Sequence, residues 1–245
     1  MGIFRQKLSL TKTHDFCAVK EPVLTVVMIH GIASDSSTFK RAIQYLEGTT
    51  SLKKVRFVTF DLLGWGESLK DDTRLEYNYS EQIEALHNSI KKLKVSTPLV
   101  LVGHSMGTFV VTRYANTYKK SVRELILISP PVYTEENLAD PVFEKAIKLF
   151  EDAVGAKNPA VLKEKVFQNS MRKIVMNKYN YKNLVNLKTP TVMIYGNLDK
   201  FVTAFNYPGL VAENPKYLSV IRTEGAHGVS RDKYSKMVGI LEEMC

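Results

Sequence analysis

The chain has 245 residues, of which 44% are hydrophobic and 24% charged, a globular composition that excludes a disordered or low-complexity protein. No apolar run approaches the ~20 residues that cross a bilayer, and no apolar signal region follows the charged N-terminus, so a cytoplasmic protein without stable membrane association is expected. Lys and Arg outnumber Asp and Glu by 34 to 25, but the bases come in short scattered groups (Lys53-Lys54, Lys91-Lys92, Lys119-Lys120) with no recognition motif, which predicts solvated surface and no nucleic-acid partner.

Before Glu21 the sequence suits one or two antiparallel edge strands, and Gln6 breaks the N-myristoylation pattern that Gly2 begins. Continuous apolar runs then alternate with amphipathic stretches, the pattern of a parallel sheet wrapped by helices. Strands are predicted at 24–29, 55–60, 99–102, 125–128, 191–195 and 217–221, each short, rich in Val, Ile and Leu, and bounded by Pro, Gly, Lys or Asp. Helices are predicted near 38–45, 81–93, 106–118 and 231–244. In the second, Ile83, Leu86, Ile90 and Leu93 recur at helical spacing, and Ser80 is the expected N-cap.

The rhythm breaks between Pro130-Pro131 and Lys188-Thr189-Pro190. Phe143, Ile147 and Phe150, then Leu162, Val166 and Phe167, then Met171, Ile174 and Val175 keep a helical period with no strand run. This divides the chain into a core built from 1–131 and 189–245 and a helical cap at 132–188. Cys17 and Cys245 stand near opposite ends without disulfide or metal-ligand spacing and are expected as free thiols. No metal and no cofactor are expected, and the sequence leaves the oligomeric state open.

Gly103-His104-Ser105-Met106-Gly107 joins the strand at 99–102 to the helix at 106–118. A serine at such a turn is lifted clear of the backbone and faces the positive end of the following helix. Close strand–helix packing favours hydrogen or methyl at 103 and 107. A serine hydroxyl needs a base, a group that orients the base, and donors for the developing oxyanion. His227 follows the last strand and Asp199 the penultimate one, so both belong at the carboxyl edge of the sheet, where open α/β sheets bind ligands. The order Ser105, Asp199, His227 is typical of hydrolases with this elbow. His14 and His87 fall far from that edge. His104 should point away from the hydroxyl, and His30 is expected to hold the following loop by hydrogen bonds. Oxyanion donors are expected at the N–H of Met106 and, past Gly31, of Ile32.

His30-Gly31, Asp61-Leu62-Leu63-Gly64-Trp65-Gly66-Glu67-Ser68, the Ser105 turn, Gly196-Asn197-Leu198-Asp199 and Gly225-Ala226-His227 together resemble the α/β-hydrolase superfamily, in its capped branch. The resemblance implies an α/β-hydrolase fold: a mostly parallel central sheet flanked by helices, with a small helical cap. It implies a serine esterase acting on a small-molecule ester with a small to medium acyl or aromatic group. Ser105 argues against epoxide hydrolases and haloalkane dehalogenases, which use an aspartate, and Gly228 departs from the tryptophan usual in C–C bond hydrolases. That C–C activity and a binding protein on a hydrolase scaffold are the alternatives. For the substrate pocket the candidates are Trp65 (against simple packing), Tyr133, Phe143, Phe167 and Met171, with Phe150 and Met176 as further apolar cover.

Overall fold

The computed structural model describes residues 7–201 and 206–245. Seven strands form one sheet: β1 (Thr11–Phe16), β2 (Leu24–Ile29), β3 (Val55–Asp61), β4 (Leu99–His104), β5 (Glu124–Ile128), β6 (Thr191–Gly196) and β7 (Leu218–Thr223). Their order is β1-β3-β2-β4-β5-β6-β7, with β1 antiparallel to β3 and every other pair parallel. Among the described residues the N-terminal segment forms one edge strand. It is fastened to its neighbour by the Arg56 guanidinium, which donates from Nε and Nη2 to the two oxygens of Asp15 at 2.7 and 2.8 Å.

Continuous apolar runs form the inner strands because both faces of the sheet are covered. In β4, Leu99 and Leu101 join one core with residues of α2 (Tyr79–Lys92) and α3 (Met106–Thr117). Val100 and Val102 join the opposite core with residues of α1 (Lys40–Gly48) and α9 (Arg231–Glu242). Each fully buried Leu or Val contributes about 1.5–3 kcal/mol. A sheet covered on both sides holds its carboxyl edge rigidly, and that edge carries the site.

Some element boundaries differ from expectation. Helix α2 is capped by Asn78 rather than Ser80, because Asn78 and Glu81 close a reciprocal capping box while Ser80 Oγ donates to the Asn78 side chain. A 3₁₀ turn, Ser36–Phe39, precedes α1. Helix α8 (Asn206–Glu213), between β6 and β7, was not anticipated. Its Pro208 falls in the first helical turn, where Pro forfeits no intrahelical bond.

Between β5 and β6 lie α4 (Glu135–Leu138), α5 (Pro141–Gly155), a 3₁₀ turn Pro159–Lys163, α6 (Lys165–Ser170), a π-helical turn Met171–Val175 and α7 (Asn180–Val185), with no strand among the described residues. The basic excess is less scattered than expected: residues 157–188 hold eight Lys and Arg against Glu164 alone. Glu76 answers part of this charge by pairing with both Lys165 and Lys173 across to the core. No described helix is long and apolar enough to cross a membrane.

Candidate active site

Ser105 sits between the end of β4 and the first residue of α3 with φ 51° and ψ −121°. A non-glycine residue there stores about 1–3 kcal/mol of strain, so the neighbours must hold it. The Ser105 N–H donates to the Ile128 carbonyl at 2.9 Å, and the N–H and hydroxyl of Thr108 donate to the Ser105 carbonyl at 3.0 and 2.6 Å. A Cβ at Gly107 would stand 2.3 Å from the Ile29 carbonyl oxygen, and one at Gly103 would stand 2.6 Å from Gly107 backbone. Even a methyl group is excluded at both positions, a stricter demand than the sequence conveyed, because the obstacles are backbone and cannot rotate away.

The β6 and β7 loops lock together. A Cβ at Gly196 would fall 2.1 Å from the Gly225 oxygen. Asn197 N–H donates to Thr223 O and Leu198 N–H to Gly225 O, each at 2.9 Å. In return Gly225 N–H donates to Asn197 Oδ1 at 3.1 Å. This contact brings Asp199 to His227: the imidazole Nδ1 lies 2.9 and 3.0 Å from the two carboxylate oxygens. Asp199 is 1% exposed at its side chain and His227 15%. Burial raises the Asp199 carboxyl, but the His227 and Phe201 N–H bonds and the Lys233 charge outweigh it, so the group lies below its ordinary value. An ionised Asp199 accepting at Nδ1 leaves Nε2 of a neutral His227 as the basic nitrogen.

Ser105 and His227 line one narrow cavity with Ile32, Tyr133, Ile147, Phe150, Met171 and Phe201. Its free volume of about 20 Å³ holds roughly one water. Clefts of about 700 and 520 Å³ elsewhere are more open, and neither includes Ser105 or His227. Size therefore does not mark the site; chemistry does. Among the described residues no acceptor takes the N–H of Ile32 or of Met106, which leaves both donors free to meet a developing oxyanion.

Tyr133 and Met171 line this cavity, as does Phe150. Trp65, Phe143 and Phe167 do not. All three are buried in the core, Phe143 packing edge-on against Tyr133 with centroids 4.4 Å apart. Met176 is 38% exposed and lies outside the cavity. For Phe143 and Phe167 a helical apolar period marks burial without saying whether a residue faces core or pocket, while Trp65, in the 61–68 loop, packs into the core. Phe201 was missed. It stacks edge-on against both His227 and Phe150 at 5.5 Å, and its carbonyl accepts from the Tyr133 hydroxyl at 2.9 Å.

The other histidines do not serve this cavity. His30 Nε2 accepts the Leu62 N–H at 2.9 Å, so Nδ1 carries the proton and donates to the Gly31 carbonyl at 2.7 Å. It thus ties the β2 and β3 loops, and burial lowers its basicity. His104 turns to the His227 loop, where its Nε2 lies 3.0 Å from the His227 carbonyl.

Residues 20–201 match the family model described as "Serine aminopeptidase, S33", a span that includes Ser105 and Asp199. The chain is 30% identical over 122 residues to the Arabidopsis thaliana protein "Probable lysophospholipase BODYGUARD 5", covering 49% of this chain and 27% of that protein. It is 30% identical over 150 residues to the Mus musculus (Lyso)-N-acylphosphatidylethanolamine lipase, covering 56% and 40%. These alignments span well under half the length of either relative. Among solved structures, the monoacylglycerol lipase of Paleococcus ferrophilus superposes with a TM-score of 0.66 at 20% identity, over 97% of this chain and 100% of that one, a likeness of fold. The chain belongs to the serine aminopeptidase S33 family of the α/β-hydrolase superfamily.

Proposed function

We propose that the protein hydrolyses carboxylic esters of small to medium acyl or aromatic groups, with Ser105 as nucleophile, His227 as base and Asp199 as orienting acid. His227 Nε2 takes the Ser105 proton as the hydroxyl attacks the carbonyl, and Asp199 stabilises the imidazolium that results. The oxyanion rests on the N–H groups of Ile32 and Met106, at the positive end of α3. His227 returns its proton to the leaving alcohol, and a water then attacks the acyl-enzyme by the same route. The helical segment 132–188 acts as the cap, and its Ile147, Phe150 and Met171 shelter the acyl group.

The observation that carries this reading is the lining of the Ser105 cavity, which among the described residues is apolar apart from Ser105, His227 and the Tyr133 hydroxyl and includes no carboxylate. An aminopeptidase must pair the free α-ammonium of its substrate with an anion; an acyl ester asks only for apolar cover. The relatives named as lipases and lysophospholipases act on esters by those names, which makes acylglycerols the first natural substrates to try. With p-nitrophenyl acetate and butyrate, Ser105→Ala should reduce turnover to background while an alanyl anilide is left intact by the wild type. Comparable ester turnover in that variant would sink the mechanism.

A further inference from the structure

Lys233 is the third residue of α9, and none of its surface reaches solvent. A cation there opposes the helix dipole, and burying an ammonium is strongly unfavourable unless every proton is answered. Here all three N–H donors of the ammonium have an acceptor. Nζ donates to Ser129 Oγ at 2.7 Å, to the Gly228 carbonyl at 3.0 Å, and to the Ala226 carbonyl. Ala226 and Gly228 are the residues on either side of His227. Ser129 directly follows β5, in the left-handed region at φ 51°, and its N–H donates to the Ile194 carbonyl of β6 at 2.8 Å.

We propose that Lys233 is a positioning residue that clamps both peptide carbonyls flanking His227 to the end of β5, and so sets where the imidazole stands between Asp199 and Ser105. The inference rests on the triad reading above. The His227 loop follows β7, an edge strand, and lacks a paired strand on its outer side; an edge loop is the mobile kind unless something ties it inward. Besides the bonds to the β6 loop that precede His227, Lys233 supplies two ties and His104 a further one, so the carbonyls of residues 226, 227 and 228 are all held by buried donors. The ammonium also faces Asp199, whose carboxylate it stabilises, and His104, whose protonation it opposes. Burial lowers the Lys233 ammonium to about 8, so the clamp carries its charge at neutral pH.

The test uses Lys233→Met, which keeps the length and removes charge and donors, beside Lys233→Arg and Ser129→Ala. K233M removes the burial cost of an ammonium but leaves three buried acceptors without their donor, so it should still melt cooperatively, at a temperature below that of the wild type. Its kcat on p-nitrophenyl butyrate should fall about 10–100-fold with KM within about twofold, the mark of misplaced chemistry rather than lost binding. The acid limb of its kcat/KM profile should move to higher pH, because no cation remains to compete for the Asp199 charge. Lys233→Arg keeps the charge, but a planar fork cannot meet three converging acceptors, so it should leave the acid limb in place and still lower kcat. If K233M does not fold, Ser129→Ala, which loosens one anchor, should show a smaller fall in kcat. The downfield proton resonance of His227 Nδ1 reports the Asp199 contact without any substrate, and it should broaden or shift in K233M. An unchanged resonance and unchanged kcat in K233M, or in Ser129→Ala if K233M is unfolded, overturn the clamp. Activity surviving in Ser105→Ala would instead overturn the triad, and the resonance would still test the clamp.

Discussion

The His104 ring donates Nε2–H to the carbonyl of His227 at 3.0 Å, so the residue beside the nucleophile holds the backbone of the base. The rings lie 5.2 Å apart, and the contact spans 123 residues of sequence. A neutral His104 is required, since its Nδ1 is buried without a partner. Burial and the neighbouring His227 and Lys233 hold it at about 3.

That depression has a sign. Below its ordinary value of 6.5 the unfolded chain takes up a proton that folded His104 refuses until about 3. Stability is therefore lost as pH falls from 6.5 toward 3. His104→Gln should show a shallower loss of melting temperature between pH 7 and pH 4.5 than the wild type. It should also lower kcat by about tenfold through the freed His227 backbone. A wild-type slope in the variant would refute the assignment.

At the edge strand the sign runs through an acid. The Arg56 bonds hold Asp15 at about 2 against an ordinary 3.8. The contribution is complete above 3.8 and disappears as pH falls through 2. Asp15→Asn should cost about 0.5–1 kcal/mol at pH 7, as a partly exposed bidentate pair does. Urea titrations of both proteins should converge near pH 2.

Gly107→Ala tests the elbow. Its Cβ would meet the Ile29 and His30 carbonyl oxygens at 2.3 and 2.5 Å, so β2 and α3 must separate. We expect a loss of about 3 kcal/mol and ester hydrolysis at background. Gly48→Ala, where nothing stands within 4 Å, is the control and should leave both unchanged.

Acyl-chain preference tests the cavity. With room for about one water, Phe150 and Met171 must shift before an acyl chain enters. Phe150→Ala should raise kcat/KM for an octanoyl ester relative to acetyl by about tenfold or more, the value of a methylene or two in an apolar pocket. An unchanged ratio on a p-nitrophenyl ester series would mean that the acyl group lies elsewhere.

Much of this site was legible in the sequence because its causes are local. Gly103, Ser105 and Gly107 follow from steric demands within five residues, and the Asp199 and His227 loops from their places just after apolar runs. The length of those runs also announced a two-faced sheet. What the sequence by itself determined was thus the alternation of inner strands and helices along the chain, α8 apart, the elbow, and the edge at which three polar residues gather. Only the tertiary structure decided which neighbours complete them. Phe143, Phe167 and Phe150 carry the same helical period, and the packing of α5 and α6 alone sends Phe150 to the cavity and the other two to the core. Lys233 reads as an ordinary helix-surface lysine, since its three acceptors come from residues 129, 226 and 228, and only folding brings them together. Hydrogen bonds across such separations leave no periodic trace along the chain, whereas backbone sterics and hydrophobic burial do.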